Sequence, residues 1–168
     1  MPTDPAVRIR PGLPTDLDDV FAVRDDAIRT STALWTTVPA TREDTAAYLD
    51  GHVGRGSILV AELDGAFAGY AVYGPFRPHD GYRNTVENSV YVVAAAQGRG
   101  IGGTLLAALM TRAREAGMHA MVAGIEATNS SSIRLHERLG FTLVGTLPQV
   151  GTKFGRWLDL TFMVAVLT

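Results

Sequence analysis

Alternating or continuous apolar runs along the chain predict strands, and runs with a period near 3.6 predict helices. Strands are predicted at residues 7–10, 57–63, 66–76, 85–93, 120–125, 141–147 and 158–167. Helices are predicted at residues 15–30 and 41–53, from the glycines after residue 97 to residue 116, and at 130–139. This order predicts one α+β domain over residues 1–168, with a mixed central sheet.

Turn and cap residues mark the ends of several predicted elements. The Asp-Gly pair at residues 64–65 lies between two strand-like runs and predicts a tight β-hairpin. Thr41 followed by Asp44 predicts the start of the second helix. Residues 148–157 contain proline and glycines and predict a loop between the last two strands. On composition, Trp157 and Tyr91 are expected in the core rather than in a site.

Composition and charge narrow the classes of function. The formal net charge of −2 at pH 7 argues against a nucleic-acid groove or an anionic membrane surface as the main partner. The chain has no cysteine, which excludes disulfides, cysteinyl acyl-enzymes and thiolate metal sites, and no metal site is predicted. Residues 1–5 lack the features of a signal peptide and no apolar run could span a membrane, so a cytoplasmic protein is expected. Lys153 is the only lysine, so arginines or backbone are expected to contact anions.

A glycine-rich segment at residues 98–103, between a predicted strand and a predicted helix, is a candidate anion site. Backbone N–H groups at a helix N-terminus favour an anion such as a pyrophosphate. The segment also satisfies the G-x-G-x-x-G of dinucleotide-binding folds, with Glu126 as the acidic residue about 20 positions on. In those folds the first glycine directly follows the strand, whereas residues 94–97 intervene here. A turn that only allows close packing is a third interpretation.

Three side chains are candidates for chemistry, and each has a structural alternative. Glu87 shares a strand face with a tyrosine, and if that face is covered its pKa rises toward a value useful for proton abstraction. It could equally face solvent or form an ion pair with Arg77 or Arg83. His136 either protonates a leaving group or lies at the edge of an amphipathic helix. Asn129 either contacts a ligand or caps the helix that follows it.

Several motifs in order resemble a known family. Gln-Gly-Arg-Gly-Ile-Gly at residues 97–102 resembles the Q/R-x-x-G-x-G/A pyrophosphate loop of the GNAT superfamily of acyl-CoA-dependent N-acetyltransferases. Residues 85–92, 129–136 and 148–163 resemble the phosphinothricin and methionine sulfone/sulfoximine N-acetyltransferase branch. The resemblance covers essentially the whole chain and is strongest after residue 85. It implies the GNAT fold, in which a mixed, mostly antiparallel central sheet is flanked by helices. It also implies acetyl-CoA as co-substrate and direct acetylation of the α-amine of a small amino acid or toxic analogue.

The resemblance also implies roles for individual residues. Contacts with acetyl-CoA are implied for Val90, Tyr91, Val92, Gly98, Arg99, Gly100, Ile101, Gly102, Gly103 and Asn129. Contacts with the amino-acid substrate are implied for Arg77, Pro78, His79, Glu87, Asn88 and Ser89. Glu87 matches the candidate general base, and His136 stands where many members carry a tyrosine that protonates the CoA thiolate. Asn88 departs from the histidine that is common in the branch. The family is usually dimeric, which implies a homodimer.

Two other classes of function share part of this pattern. A non-catalytic acyl-CoA sensor would keep the glycines and Asn129 but would not need Glu87. A nicotinamide-dinucleotide domain would use the same glycines. The joint presence of the glycines, Asn129 and Glu87 favours an enzyme.

Overall fold

The computed structural model describes residues 7–168, which form a seven-stranded sheet with helices on both faces. The strands are β1 (Val7–Pro11), β2 (Ile58–Leu63), β3 (Ala66–Pro75), β4 (Thr85–Val92), β5 (Ala120–Glu126), β6 (Thr142–Lys153) and β7 (Arg156–Val166). The helices are α1 (Leu17–Thr30), α2 (Arg42–Arg55), α3 (Ile101–Glu115) and α4 (Ser130–Arg138). The expectation that no signal peptide is present rests on residues that lie outside this described part.

The strand order is β1-β2-β3-β4-β5-β7-β6, and every neighbouring pair is antiparallel except β4 with β5. The predicted mixed, mostly antiparallel sheet is therefore confirmed. The hairpin between β2 and β3 is also confirmed, because Asp64 and Gly65 both have positive φ angles, 51° and 82°, as a type I′ turn requires. Thr41 caps α2 as predicted: its side chain accepts a hydrogen bond from the backbone N–H of Asp44.

Two apolar layers hold the helices against the sheet. On one face, Leu105 and Leu109 of α3 are fully buried with Met121 of β5 in the larger cluster. On the other face, Val20 of α1 and Leu49 of α2 pack in a second cluster against β2 and β3. Since side chains alternate along a strand, β2 and β3 contribute buried residues to both layers.

The parallel pair, β4 and β5, separates part way along its length. The two strands pair only at Thr85 with Ala120, Val86 with Met121 and Glu87 with Val122. Beyond these three pairs β4 continues to pair with β3, and β5 continues to pair with β7. Within residues 7–168, one edge of β4 therefore has no neighbouring strand over residues 88–92. This opening positions the candidate site.

The prediction of a loop at residues 148–157 is wrong, because β6 continues to Lys153 and β7 begins at Arg156. Only Phe154 and Gly155 form the turn, with φ angles of 52° and 70°. β6 is an edge strand, where a proline does not have to donate to a neighbour, and the register shifts between Leu147 and Gly151. The expectation that Trp157 is buried is also wrong, because its exposed fraction is 69%.

Candidate active site

A cleft lies between β4 and β5 where the two strands separate. Its narrow end, about 90 Å³, is lined by Ala33, Asn88, Ser89, Val90, Tyr91, Ala123, Gly124, Ile125, Glu126, Asn129, Ser132 and His136. Its wide end, about 770 Å³, is lined by Val90, Val92, Ala96, Gln97, Gly98, Gly100, Ile101, Gly102, Gly103, Thr104, Asn129, Ser131, Ser132, Leu135, His136 and Arg138. Four residues line both ends, so the cleft is continuous. Most residues implied for acetyl-CoA binding are brought together here.

The glycine segment forms the floor of the wide end, at the N-terminus of α3. Gly98 and Gly100 have φ angles of 76° and 77°, a backbone conformation that residues with side chains rarely adopt. A Cβ on Gly102 would lie 3.1 Å from Leu135 of α4, so this glycine allows the two helices to approach. The first N–H groups of α3 have no acceptor within the helix. This end can therefore bind an anion through backbone donors.

Arg138 lines the same end and was not predicted from the sequence. It lies near the end of α4, about 40 residues from the glycines, so only the packing of α4 against α3 brings the two together. Arg99, which the resemblance implied, is exposed and does not line the cleft. The structure thus places a cation beside the candidate anion site from a different element.

Asn129 caps α4 and lines the cleft at the same time. Its Oδ1 accepts hydrogen bonds from the backbone N–H of Ser132 at 3.1 Å and from the hydroxyl of Ser131 at 2.9 Å. The two interpretations of this residue are therefore compatible in position, because the cap holds the side chain in the wall of the cleft. Contact with a ligand stays a prediction.

His136 is buried, with an exposed fraction of 4%, rather than at the edge of an amphipathic helix. Its Nδ1 lies 2.8 Å from the carbonyl oxygen of Ser132, and its Nε2 lies 3.2 Å from Oδ1 of Asn88. Asn88 in turn donates from Nδ2 to the carbonyl oxygen of Val122. Both ring nitrogens thus face acceptors, which only the imidazolium could satisfy fully. Burial nevertheless lowers the pKa of His136, more than the Ser132 contact raises it.

Glu87 lies on the opposite face of the sheet from His136, at the point where β4 and β5 separate. Its carboxylate packs over Gly124 of β5: a Cβ on that glycine would lie 2.9 Å from Oε1. Burial raises the pKa of Glu87, and the positive charge of Arg77 opposes this only in part. Gly124 was missed in the sequence, although a glycine inside a strand often marks close approach by another group.

The residues implied for substrate binding are divided between the two faces. Arg77 is exposed, its guanidinium lies 4.9 Å from the ring centre of Phe76, and its charge reaches Glu87. Pro78 and His79 are exposed on the same loop and do not line the cleft.

Ser89 shares the face of Glu87 by strand alternation and lines the narrow end. Asn88 lies with His136 on the other face, which removes it from the group around Glu87.

The geometry does not support the interpretation of Glu126 as the acidic residue of a dinucleotide-binding site. The Glu126 carboxylate accepts hydrogen bonds from the backbone N–H of Thr128 at 3.2 Å and from its hydroxyl at 2.5 Å, so it stabilises the turn before α4. The mostly antiparallel sheet also differs from the parallel sheet of dinucleotide-binding folds.

Within residues 7–168, no group of three or more histidine, aspartate or glutamate residues could hold a metal ion. In the same range no helix has the length and apolar character to cross a membrane.

Comparisons with known proteins agree with this geometry. Residues 21–141 match the Acetyltransferase (GNAT) family. The chain is 50% identical over 150 residues to an L-methionine sulfoximine/L-methionine sulfone acetyltransferase of Pseudomonas aeruginosa, covering 88% of this chain and 87% of that protein. It is 36% identical to a phosphinothricin N-acetyltransferase of Streptomyces coelicolor, over 96% and 97% of the two chains.

The similarity extends to solved structures. The structure of yncA from Salmonella typhimurium, a putative acetyltransferase with its cofactor acetyl-CoA, has a TM-score of 0.94 and 43% identity, over 97% of this chain and 95% of that chain. A family match over most of the chain, relatives at up to half identity and the same fold lead to one conclusion. The chain belongs to the GNAT family of acetyltransferases, in the branch of the methionine sulfoximine/sulfone and phosphinothricin N-acetyltransferases.

Proposed function

We propose that this protein transfers the acetyl group of acetyl-CoA directly to the α-amine of a small amino acid or toxic analogue. The acceptors that its relatives' names point to are methionine sulfone, methionine sulfoximine and phosphinothricin. The observation that carries the proposal is the cleft itself, which runs from the backbone N–H groups at the N-terminus of α3 to Gly124, the glycine on which the carboxylate of Glu87 packs. An acyl donor and an amine can thus meet from opposite sides of the sheet.

The wide end suits the CoA part of acetyl-CoA. Gly98 and Gly100 leave their backbone open to the cleft, because an added Cβ on either would meet no other protein atom within 4 Å. The edge of β4 over residues 88–92 has no neighbouring strand and offers backbone groups to a pantetheine arm, as an added strand would use them. Arg138 adds positive charge for the phosphates. The bound acetyl-CoA of the Salmonella typhimurium structure supports this assignment.

Glu87 is the proposed general base. An α-amine is mostly protonated near neutral pH, and an ammonium cannot attack a thioester, so a proton must leave first. Burial raises the pKa of Glu87, which makes its carboxylate a stronger base than an exposed one. It receives the proton directly or through water. A backbone N–H of β4 after Ser89 would stabilise the oxyanion that attack creates. Because the chain has no cysteine, direct transfer is simpler than an acyl-enzyme.

His136 is the candidate acid for the CoA thiolate, with a specific restriction. Its Nδ1 faces the carbonyl oxygen of Ser132, so only Nε2 is available to donate a proton into the cleft. Donation from Nε2 to a thiolate would require the ring to give up its contact with Asn88. The polar link from α4 to β5 through Asn88 is an alternative, structural role for the same histidine.

Release of CoA is the direct test of the function. The protein is incubated with acetyl-CoA and, in turn, methionine sulfone, methionine sulfoximine, phosphinothricin and unmodified amino acids, while a thiol reagent detects free CoA. We expect release to depend on the acceptor and the product to be N-acetylated by mass spectrometry. Glu87→Gln keeps the shape but removes the basicity, so kcat should fall by roughly 10²-fold. If the protein binds acetyl-CoA but releases no CoA with any of the amino acids tested, it is instead a non-catalytic sensor.

The assembly that we propose is a homodimer formed through β6 and β7. β6 is a long edge strand, and the hairpin exposes Leu143, Val144, Leu147, Val150 and Trp157. A long apolar edge favours association, so a second copy of the chain is its proposed partner. Light scattering should give twice the 17.9 kDa of the chain. Val144→Glu should give the single-chain mass, and a wild-type protein of single-chain mass would rule out the dimer.

A further inference from the structure

The only lysine of the chain is buried at the end of β6. Lys153 has an exposed fraction of 2%, and its Nζ donates to the carbonyl oxygens of Ser31 at 2.6 Å, Leu34 at 2.5 Å and, more weakly, Ala27 at 3.4 Å. No salt bridge to Lys153 occurs within residues 7–168. A buried ammonium is costly unless its three donors are used, and here three carbonyls use them.

These carbonyls belong to the end of α1 and to the irregular segment at residues 31–35. The last carbonyls of a helix lack partners within the helix and carry the negative end of its dipole, so a cation is stabilised there. The segment itself has no strand or helix structure. Lys153 therefore connects it to a strand that follows it in sequence by more than a hundred residues.

A second contact joins the same segment to β6. The ring of Trp35 lies directly on the backbone of Gly151, where an added Cβ would be only 2.1 Å from ring carbon Cε3. The indole N–H of Trp35 donates to the carbonyl oxygen of Thr32 at 2.9 Å, which fixes the ring against its own segment. Any side chain at residue 151 would displace the ring. Gly151 has no positive φ angle, so space and not backbone strain requires the glycine.

The segment held in this way forms part of the narrow end of the cleft. Ala33 lies between Ser31 and Leu34, whose carbonyl oxygens accept hydrogen bonds from Lys153. It lines the cleft with Ser89 and Gly124, on the side where Glu87 packs. No residue of the segment lines the wide end, which is formed by β4, α3, α4 and their connections. A change in the Lys153 contacts or in the Trp35 contact on Gly151 should therefore affect the acceptor end of the cleft and leave the CoA end unaltered.

We propose that Lys153 is a positioning residue for the reaction: together with the Trp35 contact on Gly151, it holds residues 31–35 in place as a wall of the acceptor site. The inference rests on the proposed function, since it assigns the narrow end to the amine acceptor. Lys153 does not touch the reacting groups. It acts through the backbone of Ser31 and Leu34, which the ammonium fixes in position.

A pair of glycine variants on β6 tests the contact between Trp35 and Gly151 without removing Lys153. Gly151→Ala displaces Trp35, whereas Gly145→Ala on the same strand is the matched control, because its Cβ would meet no atom within 4 Å. We expect Gly151→Ala to raise the acceptor KM at least fivefold relative to Gly145→Ala, with the acetyl-CoA Kd within twofold. Lys153→Met should lower kcat/KM for the acceptor at least tenfold, again with little change in acetyl-CoA Kd.

The single lysine also gives a readout that does not depend on activity. Reductive methylation can modify only Lys153 and the α-amine, and mass spectrometry separates the two products. Lys153 should react at least fivefold faster in Gly151→Ala than in Gly145→Ala.

The outcomes separate the inference from the proposed function. Equal acceptor KM and equal Lys153 reactivity in the two glycine variants would overturn the inference even if the wild type is an active acetyltransferase. A parallel loss of acetyl-CoA affinity and acceptor affinity would also overturn it, because the role would then be general stability. If Lys153→Met does not fold, the comparison of Gly151→Ala with Gly145→Ala still tests the inference. A wild type that acetylates no amino acid refutes the proposed function itself.

Discussion

A methyl group added at Gly124 would perturb the proposed base directly. The Cβ of Gly124→Ala would lie 2.9 Å from Oε1 of Glu87 and 3.4 Å from Cδ1 of Leu160. Carbon and oxygen at ordinary contact are roughly 0.5 Å farther apart than the first distance, so the carboxylate must move by about that amount. The carboxylate ends a flexible side chain and the glycine has no positive φ angle, so we expect little loss of stability.

The expected effect is on the rate. Misplacement of a catalytic group by about 1 Å can cost on the order of 10²-fold, so a shift of half that size should lower kcat by roughly tenfold. The assay is steady-state kinetics on the best acceptor, with acetyl-CoA Kd from calorimetry and Tm as controls. Gly145→Ala, a glycine-to-alanine change in open space, should match the wild type in kcat.

A double-mutant cycle shows whether the methyl acts through Glu87 or by contact with the substrate. If it displaces the base, Gly124→Ala should have almost no further effect on kcat in a Glu87→Gln background. Full additivity of the two effects would refute the reasoning, as would a Gly124→Ala variant with wild-type kcat.

Three further predictions concern the acceptor, the CoA end and acid stability. Arg77→Ala should raise the acceptor KM about tenfold and leave that of acetyl-CoA unchanged, because a guanidinium pairs with a carboxylate or phosphinate; equal effects on both KM values would contradict this. Gly100→Val should weaken acetyl-CoA binding in calorimetry by at least tenfold, since residue 100 has a φ of 77° and its backbone faces the wide end; unchanged affinity in a folded variant would exclude the loop. Burial, with the charges of Arg55 and Arg24, lowers the pKa of His52 to about 4, so the unfolded state binds more protons between pH 6.5 and 4. The free energy of unfolding should therefore fall by up to roughly 3 kcal/mol as pH drops through this window, and urea titrations that show no such slope, or the same slope in His52→Gln, would contradict it.

Much of the fold was predictable because it depends on local signals. The hairpin at Asp64 and Gly65 follows from the backbone angles that a two-residue turn requires, and these residues adopt them readily. The start of α2 follows from the side chain of Thr41, which reaches an N–H three residues away. The glycines before α3 were likewise predicted from local sequence to bind an anion, and that role stays a prediction. In each case the determining atoms lie within a few residues of one another.

The extent of β6 depended instead on its place in the sheet. Residues 148–153 contain turn-forming residues, yet the strand continues through them because β6 lies at an edge, where a bulge is tolerated, and β7 pairs with β6 on both sides of residues 148–150. Trp157 is exposed for a similar reason, because no further layer within residues 7–168 covers the hairpin. Local composition cannot reveal which strand becomes an edge.

The sequence named candidate residues for the site, and their roles stay predictions, but it could not predict how they are arranged and it missed Arg138 and Gly124. Glu87 and His136 were both identified along the chain, but only the register of β4 shows that they lie on opposite faces of the sheet. The opening between β4 and β5, the approach of Gly124 to Glu87 and the burial of Lys153 against α1 all join residues far apart in sequence. Local sequence determines which segments become strands and helices, because turns and caps need only neighbours. Tertiary packing decides which side chains meet, because strand register and helix docking depend on the whole chain.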